Sequence, residues 1–326
     1  MIDRRFGMFR FVVLWMFSFW IAAVAKADAF PSKPLRIVVP FGAGGVADIT
    51  ARTVAQKMSE SMGQAVVIDN RPGAGGVVAA EMVAKAEADG YTMLLMSNAS
   101  AVSAGLFKSL PFDPVKDFTV VSLLGTFDLV LVTATESPYN SLSDVLTQAK
   151  KQPGKLNIGS INIGSTQHLT AELFKARAGI DAQVVPFNGT PAVITALRGG
   201  QIDMAVEVLS PVLPQIRGGV LKPLAVAGNK RNAALPQVPT AKEIGVQNFV
   251  SSSWNALSVP AKTPVDVVAR LNKEVNLALQ NPAVRQKLIE LNIDPQPTTV
   301  QQAQEWLQTE VKHWGSVIQK ANIQKQ

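Results

Sequence analysis

The fold is decided by residues 35–48 (LRIVVPFGAGGVAD), in which an apolar run gives way to a glycine-rich turn and then to a new segment. Residues 35–41 are short, apolar and rich in β-branched side chains, as expected for a strand buried in a parallel sheet. The glycines break this run, and residues 47–61 have the pattern of a helix. The stretch therefore predicts the strand–turn–helix opening of a βαβ unit.

The same alternation continues outward along the chain. Residues 66–68 and 91–96 read as further strands, and residues 77–87 read as the helix between them. A second series starts after Asp113-Pro114, and Ser141 with Asp144 has the pattern of a capping box. Strands that alternate with helices predict parallel sheets with right-handed crossovers.

The later elements complete two α/β halves. Thr263 is the expected N-cap of a helix with Pro264 in its first turn, and the remaining residues read as helical apart from a break at 292–297. The predicted fold class is α/β, with two doubly wound lobes joined by a hinge. Lobe 1 is placed at residues 28–125 plus 252–326, and lobe 2 at residues 126–251. Residues 120–124 and 129–133 are further apolar runs. The other predicted strands are 156–159, 184–187, 202–206, 221–226 and 254–259, and the other predicted helices are 165–178 and 191–197.

The first residues predict export. Arg4, Arg5 and Arg10 form a basic region, residues 11–24 are uncharged and apolar, and two A-x-A patterns follow. A bilayer span needs about 20 apolar residues, so an uncleaved anchor helix is the less favoured alternative. We predict a cleaved signal peptide at residues 1–27 and a periplasmic mature protein, with the export route left open. The absence of cysteine excludes a lipoprotein anchor and disulfides.

Composition argues against several function classes. The 31 lysines and arginines slightly outnumber the 24 aspartates and glutamates, and they are scattered, so no nucleic-acid partner is expected. Of the two histidines, His168 lies three residues after Ser165, but no G-x-S-x-G elbow or acidic partner accompanies this pair. Because metal-ligand clusters are also missing, we predict a protein that is not an enzyme and needs no cofactor.

One enzymatic alternative has a motif behind it. Residues 42–47 (GAGGVA) fit the dinucleotide fingerprint G-x-G-x-x-A, and Asp69 follows at the end of the next predicted strand. This pattern would suit an NAD(P)-dependent oxidoreductase with a Rossmann-like first lobe. An exported protein, however, meets no soluble nicotinamide pool, and the motif is short.

Anion capture is the broader interpretation of these turns. Strand-to-helix turns at residues 41–46, 159–166 and 188–190 combine glycine with a nearby hydroxyl or amide, and helix N-termini present unpaired N–H groups. Ligands of doubly wound sheets bind at the carboxyl ends of strands, where these turns lie. We expect the hydroxyls of Ser165 and Thr166 to contribute more than His168, whereas Glu207 is either a ligand contact or a solvated strand end. The predicted ligand-binding residues are Phe41, Gly42, Ala43, Gly44, Asp48, Ser97, Asn98, Ser165, Thr166, His168, Asn188, Gly189, Thr190 and Glu207.

Taken in order, a series of motifs resembles one family along nearly the whole chain after the signal peptide. The chain resembles the Bug-type receptors, or TctC family, of tripartite tricarboxylate transporters. The matching stretches are 34–48 (PLRIVVPFGAGGVAD), 70–76 (NRPGAGG), 88–92 (ADGYT), 112–118 (FDPVKDF), 164–169 (GSTQHL), 185–191 (VPFNGTP), 199–204 (GGQIDM), 235–240 (LPQVPT) and 254–264.

The resemblance implies a periplasmic binding protein of the Venus-flytrap type. It implies a small carboxylate held by backbone amides and ordered waters from the first-strand loop and the GSTQH loop. It also implies a partner made of two integral membrane subunits. We expect the receptor itself to be a monomer. Two positions depart from the family pattern, since proline is usual where Gly42 stands and tyrosine is usual where Phe187 stands. Which carboxylate is bound is not readable from the sequence.

Overall fold

The computed structural model describes residues 30–320 and 323–326, so the predicted signal peptide lies outside the described residues. Residues 33–326 form one compact unit of mixed strands and helices. The strands are β1 (Leu35–Val39), β2 (Val66–Asn70), β3 (Thr92–Ser97), β4 (Phe118–Ala134), β5 (Leu156–Ile161), β6 (Ala182–Phe187), β7 (Met204–Val208), β8 (Leu221–Val226), β9 (Ser252–Pro260) and β10 (Ile293–Pro295).

Most helices of the described chain alternate with these strands as the sequence predicts, but the helices at residues 98–106 and 209–217 were not predicted. The helices are α1 (Val46–Met62), α2 (Val77–Ala84), α3 (Asn98–Leu106), α4 (Leu142–Lys151), α5 (Thr166–Ala178), α6 (Thr190–Arg198), α7 (Leu209–Arg217), α8 (Val265–Gln280), α9 (Pro282–Glu290) and α10 (Val300–Lys320). No helix among the described residues is both long enough and apolar enough to cross a bilayer.

The strands form one continuous array in the order β2-β1-β3-β9-β4-β7-β5-β6. Strand β1 runs parallel to β2 and β3, and β5 runs parallel to β6 and β7. The two parallel groups are connected through β4, which pairs with β9 along its first part and with β7 and β8 along its last part. The carboxyl ends of two parallel groups are therefore held on either side of a shared central strand.

Strand β4 corrects the sequence analysis. Residues 120–124 and 129–133 read as two separate apolar runs, but a single strand of 17 residues covers both. Its Gly125 explains the apparent break, because a Cβ there would lie 2.6 Å from Ile293 Cγ2 and 2.9 Å from the carbonyl oxygen of Asp294. Gly125 thus allows the close approach of β10, which pairs with β4 at this point.

Two helix starts test the capping patterns of the sequence. Ser141 and Asp144 form the predicted capping box, with both reciprocal hydrogen bonds present. The predicted N-cap at Thr263 is wrong. Pro264 is the N-cap of α8, and the Thr263 hydroxyl instead donates a hydrogen bond to the carbonyl oxygen of Pro260.

Candidate functional site

A cavity of about 410 Å³ opens at the carboxyl ends of the parallel strands. Such a volume lies within the range of small-molecule pockets, about 300–1,000 Å³. Residues from both parallel groups line it, and β4 and β9 contribute Phe127, Ser253 and Asn255. Six of the predicted ligand-binding residues line this cavity, namely Phe41, Gly44, Ser97, Ser165, Thr166 and Thr190.

Five helices of the described chain begin at this cavity. The N-terminal turns of α1, α3, α5, α6 and α7 each supply at least one lining residue. A helix N-terminus carries unpaired N–H groups and a partial positive charge, so their convergence makes the cavity attractive to an anion. The described lining residues include no lysine, arginine or histidine. Positive potential at this site therefore comes from the backbone.

At three of these helix starts, the N-cap side chain accepts no hydrogen bond from the backbone N–H groups of the first turn. Gly45, Gly189 and Val208 are the N-caps of α1, α6 and α7, and none of them makes a side-chain capping bond. At α3 and α5 the caps are Ser97 and Ser165, whose hydroxyls accept from Ala99 N–H and His168 N–H. The uncapped starts leave more backbone donors for a ligand than the capped ones do.

The loop before α1 is held in place from within the helix. Asp48 Oδ2 accepts a 2.9 Å hydrogen bond from Gly44 N–H, and Oδ1 accepts one of 2.9 Å from Asn70 Nδ2. Asn70 Nδ2 also donates to the carbonyl oxygen of Phe41, so both ends of the loop are anchored. Burial alone would raise the pKa of Asp48, but hydrogen bonds from Arg52, Gly44 and Asn70 lower it below its ordinary value.

The loop before α5 is held by a hydroxyl. Ser165 Oγ accepts from His168 N–H at 3.1 Å and donates to the carbonyl oxygen of Ile161 at 2.7 Å. The single hydrogen of this hydroxyl is thus used within the protein. Ser165 lines the cavity, but in this arrangement it can offer a ligand only its oxygen lone pairs.

Thr166 belongs to a buried polar cluster that joins three elements. Its Oγ1 accepts a 3.0 Å hydrogen bond from Asn98 Nδ2 of α3 and lies 3.3 Å from Ser253 Oγ of β9. Asn98 is fully buried, and its Oδ1 finds no partner among the described residues. The cluster connects α3 and α5, which start on different parallel groups of the sheet.

Glu207 lies behind the cavity lining. It is fully buried on β7, and its Oε2 accepts a 3.0 Å hydrogen bond from Thr190 Oγ1. Burial raises the pKa of Glu207 to about 7, although the hydrogen bond from Thr190 and the nearby polar groups of Gln167 and the Val208 backbone oppose the rise. Its Oε1 has no hydrogen-bond partner within the described part of the chain. The alternative of a solvated strand end is therefore wrong for Glu207.

Eight predicted residues do not line the cavity. His168 is buried in the first turn of α5, and burial lowers its pKa, so the neutral imidazole is favoured near pH 7. Asp48, Asn98 and Glu207 act on lining residues through the hydrogen bonds given above. The eight residues are Gly42, Ala43, Asp48, Asn98, His168, Asn188, Gly189 and Glu207.

Sequence reasoning missed several polar lining residues. Ser253 and Asn255 lie on the same face of β9 and line the cavity, and Gln167 and Ser210 line it from α5 and α7. Asn255 is 1% exposed, and its Nδ2 has no partner among the described residues. A buried donor without a partner costs about 1–3 kcal/mol, which a ligand oxygen would recover. Polar residues at alternate positions of an apolar strand were the available signal.

The dinucleotide alternative is not supported by the geometry of Asp69. This carboxylate, which would have to bind a ribose hydroxyl, is instead paired with Arg71 at 2.9 Å and with Arg36 at 3.5 Å. A cluster of metal-ligating side chains does not occur within the described residues either.

Comparison with known proteins gives one consistent result. The model of the tripartite tricarboxylate transporter family receptor (TctC) matches residues 50–323. Protein BugT of Bordetella pertussis is 36% identical over 300 residues, which cover 91% of this chain and 92% of that protein.

Solved structures agree with the sequence matches. The structure of R. palustris Rpa4515 with adipate superposes with a TM-score of 0.83 at 33% identity, covering 91% of this chain and 100% of that one. MatC from Rhodopseudomonas palustris with bound malate gives a TM-score of 0.79 at 33% identity, covering 89% of this chain and 100% of that one. The predicted two-lobed periplasmic binding protein fold is thereby confirmed.

Proposed function

The chain belongs to the tripartite tricarboxylate transporter receptor family, and we propose that its cavity captures a small carboxylate for delivery to a membrane transporter. The family relation supports the receptor role. The chemistry of the cavity supports the carboxylate, and the adipate and malate held by two structural relatives agree with it.

The observation that carries this proposal is the convergence of helix N-termini on a cavity without cationic side chains. Each N-terminus favours a nearby anion by about 0.3–1 kcal/mol, and by up to about 2 kcal/mol in a partly buried site. Several such contributions suffice for an anion that must later be released.

The proposed contacts fall into two groups. Backbone N–H groups at the starts of α1 and α5, together with the cavity-lining Thr166, Ser253 and Asn255, are proposed to meet the carboxylate or other ligand oxygens. Gly42, Ala43, Asn188 and Gly189 are proposed to shape the two glycine turns, whereas Asp48, Asn98, His168 and Glu207 support lining residues from behind.

The proposal also covers the location and partners of the protein in the cell and the closure of its two lobes. We infer a cleaved signal peptide, a periplasmic monomer, a partner of two integral membrane subunits and no catalytic activity.

We also infer that residues 28–125 plus 252–326 close against residues 126–251 by bending β4 and β9. Both strands run between the two parallel groups, and β4 contains register irregularities. Strand bulges are natural points of bending.

A ligand panel tests the proposal. Carboxylates of different lengths, including adipate and malate, are added to the purified protein, and the melting temperature is measured. A ligand at 100 times its Kd stabilises the native state by about 2.7 kcal/mol, which gives a clear upward shift. NAD(H) and NADP(H) in the same plate are expected to give none. The proposal fails if no carboxylate shifts the melting temperature.

A matched pair of variants locates the binding. Asn255→Asp places a negative charge on the cavity lining and should abolish the shift by carboxylates. Asn248→Asp makes the same change at an exposed loop position and should leave the shift unaltered. Equal responses of the two variants would place the ligand elsewhere.

A further inference from the structure

The buried carboxyl of Glu207 has a specific relation to the cavity. The group itself is fully buried, but its hydrogen-bond partner Thr190 and the neighbouring Val208 both line the cavity. Oε1 of Glu207 lacks a partner among the described residues. A buried carboxyl oxygen without a partner lowers the stability of the fold, so stability alone does not explain a carboxyl directly behind the cavity lining.

The charge state of Glu207 fixes what Thr190 can offer a ligand. An ionised carboxylate only accepts hydrogen bonds, so the Thr190 hydrogen must point at Oε2 and only oxygen lone pairs remain toward the cavity. A protonated carboxyl can donate to Thr190 Oγ1 instead, and the threonine hydrogen is then free to donate into the cavity. The same side chain thus changes from acceptor to donor.

We propose that Glu207 acts through Thr190 as a positioning residue that selects the second functional group of the ligand. This inference rests on the carboxylate-binding function proposed above. With Glu207 ionised, the Thr190 end of the cavity accepts from a hydroxyl, amide or ammonium group. With Glu207 protonated, the same end donates to a second carboxylate, and the repulsion between two carboxylates is removed.

The surroundings of Glu207 leave this switch without a competing charge. None of the charged or titratable groups on the neighbouring elements is among the groups that shift the pKa of Glu207, which are Thr190, Gln167 and the Val208 backbone. Because burial raises the pKa to about 7, Glu207 is mostly protonated below that pH and mostly ionised above it. The neighbouring groups are Asp128 on β4, His168, Glu172, Lys175 and Arg177 on α5, Arg198 on α6, and Arg217 on α7.

The test compares acids that differ only at the far end. Calorimetry is run from about pH 6 to about pH 8, on either side of neutrality. The probes are hexanoate, 6-hydroxyhexanoate, 6-aminohexanoate and adipate, together with the corresponding four-carbon acids. Raising the pH should shift the affinity ratio of the amino acid to the diacid by about tenfold in favour of the amino acid. Raising the pH should also increase the affinity for the hydroxy acid relative to that for hexanoate.

Variants separate positioning from structural support. The glutamine of Glu207→Gln is neutral and can donate to Thr190. In this variant the affinity ratio of the amino acid to the diacid should be independent of pH, and the diacid should remain the preferred ligand. Thr190→Val should remove the advantage of the hydroxy acid over hexanoate, and Thr190→Ser should retain it. Glu274→Gln is the matched control, because Glu274 is also buried but lies on α8, away from the cavity.

The outcomes distinguish this inference from the proposed function. If the acids bind but the affinity ratio of the amino acid to the diacid is independent of pH in the parent protein, the switch is refuted and the receptor function stands. If Glu207→Gln does not fold, the two Thr190 variants still test the inference. An equal preference for the hydroxy acid over hexanoate in Thr190→Val and Thr190→Ser would refute the role of the hydroxyl. Binding of none of the acids would refute both ideas.

Discussion

The two loops that begin α1 and α5 have the same backbone plan. Gly44 and Gly164 each stand two residues before the first helical residue, and each has a φ of +83°. Phe41 and Ile161, three residues earlier, both line the cavity. The two parallel groups of strands thus present equivalent strand–turn–helix loops to one site.

The loops differ in what stabilises them. In the first, Asp48 reaches back from the helix to Gly44 N–H, while the N-cap Gly45 has no side chain. In the second, the N-cap hydroxyl of Ser165 binds both His168 N–H and the Ile161 carbonyl oxygen. The first arrangement leaves the N–H groups of the helix start open, and the second uses one of them. Loops with similar glycine patterns can therefore contribute unequally to anion binding.

The largest difference should appear when the two glycines are replaced. A Cβ at Gly164 would lie 2.5 Å from Leu106 Cδ2, whereas a Cβ at Gly44 meets nothing within 4 Å. Both substitutions strain a left-handed residue by about 1–2 kcal/mol, and Gly164→Ala adds an overpacking cost of about 1–3 kcal/mol. Urea unfolding should show Gly164→Ala to be less stable than Gly44→Ala. Equal losses would mean that Leu106 moves aside without cost.

Removing the charge of Asp48 should have the next largest effect. Asp48→Asn cannot satisfy Gly44 N–H and Asn70 as a carboxylate does, and we expect a loss of about 2 kcal/mol in the free energy of unfolding. Because the folded-state pKa of Asp48 is lowered, its contribution is present above the ordinary aspartate pKa of about 3.9 and disappears as the pH falls below that value. Stability measured against pH should therefore fall less steeply at the acid end for the variant. Parallel curves would contradict the role given to Asp48.

The smallest change in stability should come from exchanging the caps. Gly45→Ser is sterically allowed, since a Cβ there only approaches the carbonyl oxygen of Gly42 at 3.8 Å. Exchanging serine and glycine at an N-cap changes stability by only a few tenths of a kcal/mol. A new cap at α1 would nevertheless occupy an N–H group, so carboxylate affinity should fall by about tenfold. Ser165→Gly should not weaken binding, and calorimetry on both variants decides whether open N–H groups matter.

Much of the fold could be predicted from apolar runs bounded by glycine. Residues 221–226 form the predicted strand β8, and the predicted helix at residues 47–61 is α1 with one more residue at each end. Two helices were missed for physical reasons. α3 begins at Asn98 directly after β3 ends at Ser97, so no glycine or proline separates the two, and α7 contains Pro211 and Pro214, which normally argue against a helix.

The site could be predicted only in part. Glycine and hydroxyl residues after strands identified the loops that line the cavity, because backbone conformation leaves a signal in the sequence. The direction of a hydroxyl hydrogen leaves no such signal. Ser165 was expected to bind the ligand, but its hydrogen is directed at Ile161, and Asn255 was missed because tertiary pairing brings β9 to the cavity.

The position of β9 has a consequence for the synthesis of the chain. In the sheet, β9 lies between β3 and β4, although more than a hundred residues separate it from both in sequence. A nascent chain that ends before Ser252 has the facing edges of β3 and β4 but not the strand that joins them. Exposed strand edges of this kind promote aggregation. The sheet therefore stays open between β3 and β4 until the last part of the chain has been made, and premature termination there should yield an aggregating fragment instead of a shortened receptor.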